Sequence, residues 1–130
     1  MSAIANLNGN PTRILDGDDA IVIRHFGAGI QGGRTLDVNG FDKAIRAGHV
    51  IIRETATNTY KPMPVSEGNY ASLPSGHEYV GVLVASVPLD EPFAAIMYDG
   101  EVNDVASPYS VESIKAALKT ALPKLVFLHD

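Results

Sequence analysis

Only one stretch of this chain, Val111–Leu122, sustains helical spacing of its apolar residues long enough to read as a convincing helix. Val111, Ile114, Ala117, Leu118 and Ala121 fall on one face. Ser110, or Ser107 with Pro108 in the first helical position, suits the N-cap. Pro123 stops the helix. Elsewhere the apolar residues come in short β-branched runs, cut by glycine, proline and polar turns. Ala20–Phe26, His49–Arg53, Tyr79–Val87, Phe93–Tyr98, Glu101–Val105 and Leu125–Leu128 read as strands. Asp99-Gly100 reads as the turn between two of them, and the prolines of Tyr60–Val65 suit an edge strand. No strand–helix alternation recurs. The fold class is therefore α+β, mainly β, with one C-terminal helix.

The first third differs in character. Met1–Thr12 is small and polar and reads as a flexible leader, and Asp16–Asp19 is a turn signal. Thr35–Val38 reads as a short strand closed by Asn39-Gly40, and Phe41–Ala47 has some helical spacing. Up to Gly48 large apolar residues are few and glycines many. Residues 1–46 are thus expected to form an extended N-terminal arm, and residues 47–130 a globular domain.

The formal net charge is −5. Residues 1–48 carry five basic and five acidic groups, so residues 49–130 hold the whole excess. An acidic body argues against a nucleic-acid footprint, which needs clustered Lys and Arg. With no cysteine, disulfides and thiolate chemistry are excluded. Met1–Asn10 lacks the pattern of a secretion signal, and no apolar run approaches the ~20 residues of a membrane span. Neither nucleic acid nor membrane is expected as a partner.

Several motifs invite chemistry. Gly27–Gly32 matches G-x-G-x-x-G after a predicted strand, but no helix can start within it to face a pyrophosphate. It reads as a glycine hinge. His25, His49, His77 and His129 lack metal-pair spacing. Ser75-Gly76-His77-Glu78 sets Ser, His and Glu side by side, which no catalytic triad does. Asp99, Glu101 and Asp104 read as a solvated hairpin tip. No catalytic residue, cofactor or metal is expected. Tyr60, Tyr70, Tyr79, Tyr98 and Tyr109, with Met63 and Met97, are candidate core or interface residues.

The order of several short strings is similar to that of the head decoration, or head fiber, proteins of tailed bacteriophages. These strings are Gly48–Ile52, Tyr60–Val65, Tyr79–Leu83, Ala94–Met97, Gly100–Asn103 and Ser107–Tyr109, then the helix and the final strand. The layout also resembles the lambda-type decoration protein, from Gly33 to Asp130. The resemblance implies a compact β-tulip-like barrel that trimerises on the outer surface of the virion's head and cements neighbouring major capsid subunits. It implies synthesis in the host cytoplasm and no enzymatic activity. The arm would then supply capsid contacts through Ile21, Ile23, Arg24, Arg34, Thr35, Leu36 and Val38. Tyr98, Tyr109 and Met97 are candidate trimer or surface contacts. Two other readings stay open. One is a fiber or adhesion module binding a receptor or glycan, with Tyr70 or Tyr109 at an exposed tip. The other is a small β-rich enzyme or ligand-binding domain with His77 and nearby carboxylates in a deep pocket.

Overall fold

The computed structural model describes residues 19–128. The leader Met1–Thr12, the turn residues Asp16–Asp18 and His129 lie outside them. The described chain is mainly β, with one short C-terminal helix. After a helical turn at Asp19–Val22 (α1) come β1 (Ile23–Gly29), β2 (Arg34–Thr35), β3 (Val50–Glu54), β4 (Thr59–Pro62), β5 (Val65–Ser66) and β6 (Asn69–Tyr70). Then follow β7 (His77–Leu83), β8 (Phe93–Ala94), β9 (Ile96–Asn103), helix α2 (Lys115–Ala121) and β10 (Leu125–Leu128).

The main sheet runs β10-β9-β7-β3-β4, and β1 also pairs with β9. It does not close into the barrel expected from the resemblance. Strand β9 is the junction. Its start pairs antiparallel with β7 (Ile96 with Leu83), and its end pairs parallel with β10 (Asn103 with Leu128). Strand β1 lies antiparallel to it from Met97 to Val102, with three register irregularities.

Asp99-Gly100 is therefore not a turn but the middle of one continuous strand. The reason is steric. A Cβ on Gly100 would overlap the carbonyl oxygen of His25, and one on Gly81 would overlap that of Met97. Bare backbone at these positions lets β1 and β7 approach β9. Gly27 and Gly29 have the same role. A Cβ at Gly27 would stand 2.7 Å from the Asp99 carbonyl oxygen, and one at Gly29 would overlap that of Ile96. The expected glycine hinge is thus a packed strand followed by a turn at Gln31-Gly32.

The sheet buries apolar side chains on both faces. Val50, Ile52, Val82, Met97 and Val102 pack against Val111, Ile114 and Leu118 of the helical segment. Ile51, Leu83 and Ile96 face the other way, toward Leu36, Ile45, Val87 and Ala94. The helical face is narrower than its sequence spacing predicts. The segment opens as a 3-10 turn (Glu112–Ile114), which rotates the later positions, and Ala117 and Ala121 are exposed. The Ser110 hydroxyl accepts from the Glu112 N–H at 3.3 Å.

The arm expected over residues 1–46 is, in its described part, packed into this same body. Leu36 and Ile45 are core residues. The Leu36 N–H donates to the Pro92 carbonyl (2.9 Å), and Ile45 exchanges backbone hydrogen bonds with Val87. Phe41–Ala47 forms no helix. Val22 is also buried, which fixes the chain just before β1.

His49 sits inside the first core. Its Nε2 lies 2.9 Å from the Met63 carbonyl oxygen, and its ring meets Phe41, Tyr70 and Tyr109 edge-on at centroid distances of 5.4–5.8 Å. The Tyr70 hydroxyl accepts from the Val50 N–H at 3.0 Å, and burial pushes its pKa up. Burial also lowers the His49 pKa to about 4, against the opposing effect of its bond to Met63.

Two predictions follow from this packing. The unfolded chain protonates His49 near its ordinary 6.5, whereas the folded chain resists down to about 4. This contribution is complete above pH 6.5 and is lost as pH falls toward 4, by about 3 kcal/mol. Urea unfolding of the His49→Gln variant should show a loss of stability across that window smaller by about that amount. Second, Gly81→Ala and Gly100→Ala force backbone apart and should each cost more than about 2 kcal/mol. Gly40→Ala, where a Cβ meets nothing but φ is +90°, should cost about 1–2 kcal/mol. Equal losses at all three would refute the close-approach argument.

Candidate functional site

Two surfaces stand out, one on a strand edge and one in a loop-rimmed cavity. The first is β1. Its one strand partner among the described residues is β9, and Arg24, His25, Phe26 and Gly27 are all exposed. Phe26 is 52 % exposed, with its ring over Gly29, and Tyr98 of β9 is 41 % exposed. With Ala28, Ile30, Ala95 and Ile96 they line an open groove of about 590 Å³. Phe93, 61 % exposed, lies against Gly33 at the nearby β2–β8 pair. Lone exposed apolar residues are ordinary, but large aromatics beside an open strand edge are not.

The structure divides the expected contact residues. Ile21 (56 % exposed), Arg24 and Thr35 are on the surface. Ile23 packs against the first core, Val38 packs against the second, and Leu36 is buried in the second. Arg34 is engaged within the chain. Its guanidinium donates to the Gln31 and Gly33 carbonyls (3.0 and 2.6 Å) and lies 5.5 Å from the Tyr60 ring centre. Met97 is fully buried and offers nothing to a partner. Tyr70 is buried too, so it does not stand at an exposed tip.

Phe26, Phe93 and Ile30 were missed by sequence reasoning. Alternation from Ile21 and Ile23 puts the next apolar position at residue 25, not 26. The register irregularities between β1 and β9 break that alternation, since a one-residue slip exchanges the faces. An aromatic beside a glycine pair was the available signal.

The second surface is a half-open cavity of about 550 Å³ between the 37–42 loop, β4 and the 64–77 connection. Lys61 and His77 line it. The Lys61 ammonium donates to Glu54 Oε1 (3.0 Å) and stands 3.2 Å from His77 Nε2. An ammonium has no acceptor, so Nε2 carries the lone pair and Nδ1–H donates to the Ser75 carbonyl (2.9 Å). The hydrogen bond from Lys61, then its charge, holds the Glu54 carboxyl below the usual carboxylate range. The Ser75-His77-Glu78 string is pulled apart: Glu78 pairs with Arg53, and His77 with Lys61. Among the described residues, no group of three or more His, Asp and Glu is placed to hold a metal ion. None of their helices is long and apolar enough to cross a membrane.

Neither a family model, nor a curated protein, nor a solved structure matches the chain.

The placement of these residues sets a stability contrast. Phe26→Ser and Phe93→Ser should each change stability by no more than about 0.5 kcal/mol, because both rings face solvent. Leu36→Ala should cost about 2–5 kcal/mol. Denaturant midpoints decide: a neutral Leu36→Ala would mean that residues 34–46 are not part of the folded body.

Proposed function

We propose that this chain is a capsid decoration protein. It binds the outer surface of a bacteriophage head, bridges neighbouring major capsid subunits, and does so as a homotrimer. The observation that carries the reading is the open edge of β1. A strand with one partner among the described residues, four successive exposed residues and a half-exposed phenylalanine is poised to pair with an extended segment of another chain. Main-chain hydrogen bonds supply affinity in such pairing, and side-chain grooves supply specificity. The Phe26–Tyr98 groove lies on the same two strands.

The order of short strings from Gly48 to Leu128 supports the same reading, as does the acidic balance of residues 49–130, which suits an exterior rather than a genome-facing role. The contact set differs from the one drawn from sequence alone. Ile21, Arg24 and Tyr98 stay in it and Phe26 joins them, while Leu36, Val38 and Met97, whose side chains already serve the chain's own packing, leave it.

The test is co-sedimentation of the purified chain with empty heads assembled from the major capsid protein of the phage or prophage that carries it. Saturable binding is expected, and Phe26→Asp should weaken it by about tenfold or more while leaving the circular dichroism spectrum unchanged. Absence of binding to both unexpanded and expanded heads would overturn the reading.

A further inference from the structure

The Lys61–His77 cavity shares no lining residue with the groove at the β1 edge, yet it is built like a ligand site. Its volume of about 550 Å³ suits a small molecule. Its walls are rigid. Pro62, Pro64 and Pro74 contribute ring surface with little freedom to lose. Tyr109, also in the lining, is held by edge contacts to His49 and Tyr70 at 5.5 and 5.7 Å. Phe41 packs against the same histidine at 5.8 Å. The two half-buried aromatics are therefore fixed in place before any ligand arrives.

The polar groups in the lining are only partly used. Two of the three Lys61 N–H bonds go to Glu54 and His77, so one has no protein acceptor among the described residues. Tyr109, Asp42 and Asn39 are lining residues, and the Tyr109 hydroxyl, the Asp42 carboxylate and the Asn39 side-chain amide make no hydrogen bond to a described residue. One oxygen of Asp37 accepts from the Asn39 N–H at 3.1 Å. The lining residues thus offer both donors and acceptors beside fixed aromatic side chains.

Charge narrows the ligand class. Lys61 is already neutralised by Glu54, while Asp37 and Asp42 bring two further negative charges. An anionic ligand would meet repulsion. An apolar one would strand the unused polar groups. A cation offers no acceptor to the unused Lys61, Tyr109 and Asn39 donors, whereas a flat-faced, uncharged molecule bearing many hydroxyls satisfies donors and acceptors alike. We infer that this cavity binds a neutral pyranose unit of a glycan. One sugar face stacks on Phe41 and Tyr109. Its hydroxyls donate to Asp42 and accept from Lys61, Tyr109 and Asn39. The site goes beyond the decoration reading, because it shares no lining residue with the groove at the β1 edge.

The experiment is a heteronuclear NMR titration of the full chain with the methyl pyranosides of glucose, galactose and mannose, with N-acetylglucosamine, and with glucuronate. Saturable shifts are expected at residues 37–42, 61–65 and 109 for at least one neutral sugar, with affinity of order millimolar. Asp42→Asn and Lys61→Met should each weaken that binding by about tenfold, with unfolding midpoints measured alongside to separate binding from folding. Head co-sedimentation should be unaffected in both variants. No shift with any neutral sugar, glucuronate binding tighter than glucose, or unchanged affinity in the Asp42→Asn variant would each overturn the assignment.

Discussion

The fold depends on how closely other backbones approach β9. One eight-residue strand serves three partners, β1 along one edge and β7 and β10 in succession along the other. Such sharing requires the chain to change partners without losing hydrogen bonds, since each buried, unpaired backbone group would cost free energy. Glycine makes the change sterically possible. Gly81 and Gly100 lie where any Cβ would overlap a neighbouring carbonyl oxygen, and Gly27 and Gly29 do the same from the β1 side. The two cores are consequences of this junction. Ile96 enters one and Met97 the other because adjacent residues of one strand point to opposite faces.

This explains which parts were legible in the sequence. Helix α2, β3, β7 and β10 announce themselves through local periodicity, and the structure has them within a few residues of their expected bounds. Glycine is ambiguous to any local reading. Asp99-Gly100 has the composition of a turn, and Gly27–Gly33 that of a linker, because turns and close approaches demand the same residue for different reasons. The deciding atoms are the carbonyls of His25, Met97 and Ile96, all distant in sequence from the glycines they face. Residues 34–46 misled in a related way. They contribute few large side chains, but Leu36 and Ile45 cap a core whose other members come from β3, β7, β8 and β9 and from Val87.

The candidate sites divide along the same line. The open edge of β1 lies in a segment that sequence reasoning selected, Ile21–Val38, but its outward residues are not the ones that alternation selects. The cavity was legible only as the wish for a pocket near His77. Its other groups come from the 37–42 loop and from Tyr109, which no spacing rule connects.

The loop's anchorage links the fold to the cavity. Residues 37–42 are fastened on both sides. The Asp37 N–H donates to the Tyr60 carbonyl (2.8 Å), the Phe41 N–H closes a turn on Val38 (3.0 Å), and Ile45 is tied to Val87. Leu36 and Ile45, flanking the loop, are core residues. On the far wall, Tyr109 is braced by His49, whose neutral ring is itself held by the Met63 carbonyl. A cavity whose rim and wall are fixed by the folding free energy of the domain needs little further ordering when a ligand enters, so weak individual contacts can still add to measurable affinity. The same bracing couples the cavity to acidity. Protonating His49 places a charge among Phe41, Tyr70 and Tyr109, two of which line the cavity, so the wall should loosen over the range in which the core loses stability.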